Sequence, residues 1–224
     1  MTDMLLVIGN RPEEVAAWTT IWPDPVTQAS VAMVDPKRPP RWVVEATVGP
    51  LSLKRQHLRR LAARGVTHVL SASISVTVGA QKRWVDGGLE IVGYDPVIAM
   101  GHGRTWTLSG DSAAREALPA FRDDRTPIPV ADAVGMVAAR IWLPIINEAA
   151  AYVAQGLDPE TVDRAVRLGL NYPVGPMEFG ERLGWHTVYW GLRALEDMEG
   201  PRFRPHPWIR AQIGSSLLDR EDSD

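Results

Sequence analysis

Leu168-Gly169-Leu170-Asn171-Tyr172-Pro173-Val174-Gly175-Pro176-Met177-Glu178 decides how the second half of this chain folds. Proline lacks the amide hydrogen that a helix interior needs and clashes with the preceding turn, so a helix cannot run through Pro173. The stretch therefore ends one helix in a Pro/Gly-rich turn, Tyr172 to Pro176, before another begins. Upstream, Asp158-Pro159-Glu160 reads as a helix start: a capping carboxylate, a proline, then an acidic first turn. Val162, Ala165, Val166 and Leu170 follow as its expected buried stripe. Further upstream, Asp132 to Gln155 is apolar nearly all round, which predicts a buried helix that Pro144 should kink or split. Downstream come a short helix to about Leu183 and a longer one from Thr187 to Met198. The helical character begins near Pro127-Ile128-Pro129. The expected organisation is a domain over residues 1–128, a helical domain over 129–217, and a disordered acidic tail over 218–224.

The first half alternates strand-like and helix-like runs. Met4 to Ile8, Ala29 to Val34, Trp42 to Ala46, His68 to Ser71, Glu90 to Gly93 and Thr105 to Leu108 read as strands. Pro12 to Trp18 and Leu51 to Ala63 read as helices. Such alternation predicts a parallel sheet of βαβ units, and so an α/β domain followed by an all-α one.

Composition excludes several functions. The formal net charge of -3 offers no basic field for nucleic acid or an anionic membrane surface. With no cysteine, disulfides and thiolate chemistry are ruled out, and a cytoplasmic location is expected. No stretch has the apolar length of a membrane span, and none of a secretory leader. His, Asp and Glu are not grouped at metal-ligand spacing, so no metal is expected. The 9 tryptophans are scattered and read as core and interface anchors.

Asn147-Glu148-Ala149, then Gly156, Asp163 and the Leu168-to-Glu178 run, form an ordered signature. It resembles the C-terminal domain of 3-hydroxyacyl-CoA dehydrogenases over about Asp132 to Ile213. Leu183 to Val188 and Pro201-Arg202-Phe203-Arg204-Pro205 are similar to that family's later segments. The first half matches more weakly: Val43-Val44-Glu45-Ala46 with Lys54, the serine-rich Val69 to Ser75, and Tyr94-Asp95-Pro96-Val97. The resemblance implies a shortened Rossmann-like domain, a dimerising helical domain, an acyl-CoA substrate and NAD as cofactor.

The family's chemistry can be sought residue by residue. A working phosphate loop needs Gly-x-Gly-x-x-Gly so that the backbone can approach the pyrophosphate. Gly9-Asn10-Arg11-Pro12-Glu13-Glu14 keeps only its first glycine and places two carboxylates in the first helical turn. Asp35 is the candidate ribose carboxylate, although Asp35-Pro36 is also a turn signal. By the resemblance, Glu45 and Lys54 flank the nicotinamide side. The family's catalytic His falls on Val92, its Glu near Arg104 and its substrate-contacting Asn on Ala139. Ser75 alone matches its counterpart, and His102 is a candidate replacement base. Three readings stand: a relative without ordinary dehydrogenation that binds an acyl-CoA-like ligand, an active NAD-dependent enzyme with relocated residues, and a structural partner subunit. A homodimer through the helical domain is expected from the apolar run around Trp142 to Ile146 and from Trp185, Tyr189 and Trp190.

Overall fold

The computed structural model describes residues 4–9, 12–99, 105–121 and 126–214. The chain divides into two compact units, Met1–Val137 and Ala138–Asp224. In the first, the order is β1 (Leu5–Ile8), α1 (Pro12–Ile21), β2 (Val26–Ala29), β3 (Trp42–Glu45), α2 (Leu51–Ala63) and β4 (His68–Ala72). There follow α3 (Val78–Trp84), β5 (Glu90–Tyr94), α4 (Pro96–Ala99), β6 (Thr105–Ser109), α5 (Ser112–Glu116) and β7 (Thr126–Pro129). One sheet results, ordered β2-β1-β3-β4-β5-β6-β7. All pairs are parallel except β5 with β6.

β1 and β3 are buried on both faces, as continuous apolar strands in a parallel sheet must be. On one face Leu6, Ile8, Val43, Val69 and Ile91 pack with Leu58 and Leu61 of α2. Strand alternation puts Tyr94 on the other face. There Trp18 lies 5.2 Å from Tyr94 and 5.0 Å from Trp106, and Phe121 lies 5.1 Å from Trp106. Much of the chain's tryptophan thus goes into one aromatic layer. From β1 the chain runs to β2 on one side and then to β3 on the other. The strand order therefore reverses at β1, which opens a crevice at the carboxyl ends of β1 and β3.

The structure corrects four expectations. The second strand is Val26–Ala29, and Val31–Met33 is a 3-10 turn. The apolar run is needed there for packing, since Val31 and Val34 cover Leu58 and Leu61. Pro127-Ile128-Pro129 does not separate the units but belongs to the edge strand β7. Alternate residues of a strand point their N–H the same way. Pro127 and Pro129 thus put the missing donors outward, while Val130 N–H reaches Leu108 C=O at 2.9 Å. The long apolar helix, α6, begins only at Ala138, because Gly135 (φ 69°) and Met136 (φ 41°) adopt left-handed conformations that a helix excludes. It continues through Pro144 as one helix, with Leu143, Ile146, Ala149 and Ala150 buried on either side.

The second unit holds α6 (Ala138–Ala154), α7 (Pro159–Leu170), α8 (Pro176–Leu183), α9 (Trp185–Glu199) and α10 (Pro207–Gln212). Asp158 caps α7 by accepting from Thr161 N–H at 3.1 Å, and Asn171 ends it at φ 57°. The start of α8 is capped from another helix. Buried Asp163 accepts from Met177 N–H at 2.7 Å and Glu178 N–H at 2.9 Å. Glu178 itself pairs with Arg182. Gly175 is required here because a Cβ would lie 2.2 Å from Asp163 Cγ. Asn147 braces the proline-rich turn, donating to Arg204 C=O at 2.9 Å and accepting from His206 N–H at 2.8 Å. The run expected to form a dimer surface is largely internal: Leu143, Ile146, Tyr189 and Trp190 are buried within this unit. Trp142 packs on Phe179 at 4.4 Å. Residues 218–224 lie outside the described residues.

Removing the Asp163 carboxylate strands two helix-start donors. Asp163→Ala should lower the unfolding free energy by about 2 kcal/mol, read as a fall in the urea midpoint at constant slope. Gly175→Ala should destabilise in the same assay, because its methyl group has no room.

Candidate functional site

The crevice edge is built around Glu45, the last residue of β3. Its carboxylate is fully buried, and so is the Lys54 ammonium that pairs with Oε2. Lys54 sits one turn into α2, a helix that begins at the same edge, and also donates to Thr47 C=O at 2.9 Å. Oε1 accepts from Thr47 N–H at 3.3 Å and lies 3.1 Å from His57 Nδ1. Thr47 Oγ1 is also 3.1 Å from that nitrogen. With an ionised carboxylate as its partner, Nδ1 carries the hydrogen and Nε2 of the neutral ring is left as an acceptor.

Burial alone pushes the Glu45 carboxyl up. The Lys54 charge and the hydrogen bonds from His57, Lys54 and Thr47 outweigh that, and hold it below the usual carboxylate range. A buried ion pair is tolerable only when its remaining lone pairs are satisfied in this way.

Other candidates gather near the same edge. Gly9, after β1, has φ 145° and a carbonyl that accepts from Gln28 Nε2 at 3.0 Å; a Cβ there would meet Ala46 Cβ at 3.3 Å. Ser75 is buried and donates to Val48 C=O. Beneath it, Ser71 donates to Gln81 Oε1 at 2.6 Å, and Gln81 Nε2 donates to Ser73 at 3.1 Å. The start of α3, just beyond the serines, is capped by Asp132, which accepts from Val78 N–H at 2.8 Å and Gly79 N–H at 2.7 Å. Asp35 is not at the end of β2. It lies past the 3-10 turn, where its Oδ1 accepts from Lys37 N–H at 2.9 Å in a local turn. Arg11, His102 and Arg104 lie outside the described residues, as do the side chains of Glu13 and Glu14.

The structure thus brings Glu45 and Lys54 together, puts Gly9 and Ser75 near them, and leaves Asp35 in a turn of its own. His57, Thr47 and Asp132 were missed from sequence. Lys54 and His57 are three residues apart on one helix and so share a face, which was the available signal. No such signal exists for Asp132, whose partners are far away along the chain. Among the described residues, no group of three or more His, Cys, Asp or Glu could hold a metal ion, and no helix is long and apolar enough to cross a membrane.

Lys54→Met should cost about 3–5 kcal/mol near neutral pH, because it leaves a buried carboxylate uncompensated. In the native protein Glu45's folded pKa lies below its unfolded one. It therefore stabilises above the ordinary carboxylate range, and that contribution is lost as pH falls through the lowered folded value. In the variant burial dominates and the folded pKa rises, so the sign reverses. The deficit relative to the native chain should shrink as pH falls, measured by urea unfolding across the acid range.

Residues 135–223 match the family model described as 3-hydroxyacyl-CoA dehydrogenase, C-terminal domain. A probable 3-hydroxybutyryl-CoA dehydrogenase of Deinococcus radiodurans is 30% identical over 123 residues, 54% of this chain and 44% of that protein. A 3-hydroxyadipyl-CoA dehydrogenase of Escherichia coli is 38% identical over 109 residues, 46% of this chain and 22% of that protein. The chain spans less than half the length of these curated relatives. The crystal structure of an (S)-3-hydroxybutyryl-CoA dehydrogenase from Ralstonia eutropha superposes with a TM-score of 0.67, over 96% of this chain and 95% of that one. Its 19% identity makes this a likeness of fold. The signature read at Asn147, Asp163 and Gly175 to Glu178 lies inside the matched segment, so the helical part of this chain resembles the C-terminal domain of the 3-hydroxyacyl-CoA dehydrogenases.

Proposed function

We propose that this chain binds an acyl-CoA-like ligand on the dehydrogenase scaffold without carrying out ordinary NAD-dependent hydride transfer. The observation that carries this reading is Val92. It is a fully buried valine of β5, and it stands where the family pattern places the proton-accepting His. A hydrocarbon side chain cannot hold or pass a proton. Ala139, likewise buried, stands at the substrate-contacting Asn. The residues that the resemblance assigns to NAD fit it poorly. Glu45 and Lys54 are fully buried and engaged with each other, so a ribose could reach them only by breaking a buried ion pair. Calorimetric titration should show saturable binding of acetoacetyl-CoA and none of NADH. Micromolar NADH binding would overturn the reading.

One observation favours a second reading, an active dehydrogenase with a relocated base. The Glu45-His57 contact orients an imidazole at the crevice edge, as a general base must be oriented. In that case NADH oxidation with acetoacetyl-CoA should fall by about 10²–10⁴ in His57→Ala. Persistence of the rate in that variant, with its loss in His102→Ala, would assign the base to His102 instead.

We also propose a homodimer through the helical unit. Ile141, Leu168, Leu170 and Met198 are exposed there and are the apolar surface that a second copy would cover. Light scattering at micromolar concentration should give twice the chain mass, and Leu168→Glu with Leu170→Glu should give the monomer. A native monomer would contradict the proposal.

A further inference from the structure

The chain's net charge of -3 conceals a local excess of the opposite sign. Residues 37–84 hold ten lysines and arginines against one acid, Glu45. Glu45 is buried and already paired with Lys54, so it neutralises nothing at the surface. The excess is concentrated on α2, which carries no acidic residue. Arg55, Arg59 and Arg60 are exposed, and Arg64, just past the last turn, is half-buried. Helical spacing sets them in two rows, Arg55 with Arg59 and Arg60 with Arg64, each repeating at about 6 Å. Exposed Ser52, Gln56 and Ala63 lie between the rows.

These guanidinium groups are held in place without being neutralised. Arg55 stacks on the Trp84 ring at 5.0 Å, Arg59 Nε donates to Trp84 C=O at 2.9 Å, and Arg64 donates to Val34 C=O at 2.6 Å. An aromatic face and two carbonyls fix their positions and leave the charge intact. Among the described residues, no carboxylate pairs with Arg55, Arg59, Arg60 or Arg64. Lys82 on α3 shows the usual alternative, pairing with Asp111 and lying 3.7 Å from Glu90. The helix dipole favours cations in the last turn, which suits Arg60 and Arg64, but it gives no such support to Arg55 and Arg59. Like charges one turn apart also repel along both rows. A surface helix that meets only water mixes its signs.

The face decides among anionic partners. Leu58 and Leu61 are buried in the core, so α2 has no apolar edge to enter a lipid surface. The Trp84 ring already carries Arg55 and is not free to stack on a base. The rows span only about 14 Å from Arg55 to Arg64. Exposed Asp35 follows Val34, which Arg64 binds, and exposed Asp86 comes soon after Trp84, which Arg59 binds. A long polyanion would therefore run on to its own sign. A helix bearing carboxylates four residues apart repeats at the same 6 Å or so, and each carboxylate matches a guanidinium fork. We propose that the outer face of α2 docks an acidic helical segment of a protein partner, its carboxylates pairing with the two arginine rows. This face is separate from Lys54 and His57, which turn toward Glu45, and stands whichever reading of the crevice holds.

Fluorescence anisotropy of a labelled alanine-based peptide with glutamates four residues apart tests this on the full chain. Saturable binding is expected, weakening as salt rises from about 50 mM to about 200 mM, because exposed pairs are screened. The same peptide with lysines should not bind. Arg60→Glu turns the repelling pair with Arg64 into an attracting one, so the urea midpoint should stay close to native. Its peptide affinity should fall roughly tenfold, as one attraction is exchanged for one repulsion. Arg164→Glu makes the same charge change on an exposed residue of α7 and should bind as the native chain does. No saturable binding, an unaltered affinity in Arg60→Glu, an equal loss in Arg164→Glu, or tighter binding of a short DNA duplex or of phosphatidylserine vesicles than of the peptide would each overturn the proposal.

Discussion

A fully buried carboxylate at the carboxyl end of β3 constrains everything around it. Glu45 can stay ionised there only because Lys54, Thr47 and His57 converge on it. That requirement fixes where α2 begins, which face it turns to the sheet and how the Thr47 segment runs. It also sets the chemistry of the crevice. In a parallel sheet the carboxyl ends of the strands at the order reversal are the natural place for a ligand. Here the groups that could reach such a ligand bind one another. The same pattern recurs at α3, where Asp132 takes amides that would otherwise face outward, and at α8, where Asp163 does so. Carboxylates of the chain itself fill the positions where backbone donors and cations collect.

The helical unit was the more legible half, for a physical reason. Its signature residues act locally or across one pair of helices, and each has a single stereochemical task. Pro159 and Pro176 sit in first turns, Asn171 ends a helix in the left-handed region, and Gly175 leaves room for Asp163. Tasks of that kind tolerate few residue types, so they leave a recognisable spelling. The start of α7 was read directly from Asp158-Pro159-Glu160, and the turn between α7 and α8 from Tyr172 to Pro176. The packing role of Asp163 could not be read, because it depends on which helix lies beside α7.

The sheet unit was less legible because apolarity alone does not distinguish a strand from a buried turn. Ala29 to Val34 has the composition of a strand but serves as a 3-10 turn over α2, while the more polar Val26–Ala29 pairs at the sheet edge. Pro127 and Pro129 look like a linker, yet an edge strand accommodates them when both missing donors point outward. At the candidate site, Glu45 and Lys54 were identified but their mutual pairing was not. His57 was missed, because the contact that orients it crosses from α2 to the end of β3.

Satisfaction of buried polar groups is uneven along the sheet, and Ser109 Oγ, packed beside Gly93 of β5, has no partner among the described residues. At the carboxyl end, Glu45, Lys54, Ser71, Ser73 and Ser75 all have partners within the chain. At the amino-terminal end and in the aromatic layer, the indole N–H groups of Trp18, Trp42 and Trp106 have none among the described residues. Large indoles supply the apolar area that closes this face, but each brings a donor into a region lined by hydrocarbon and other rings. Trp18 and Trp106 meet one another and Tyr94, so their donors face a packed interior. The Trp42 nitrogen is closed to water in the same way.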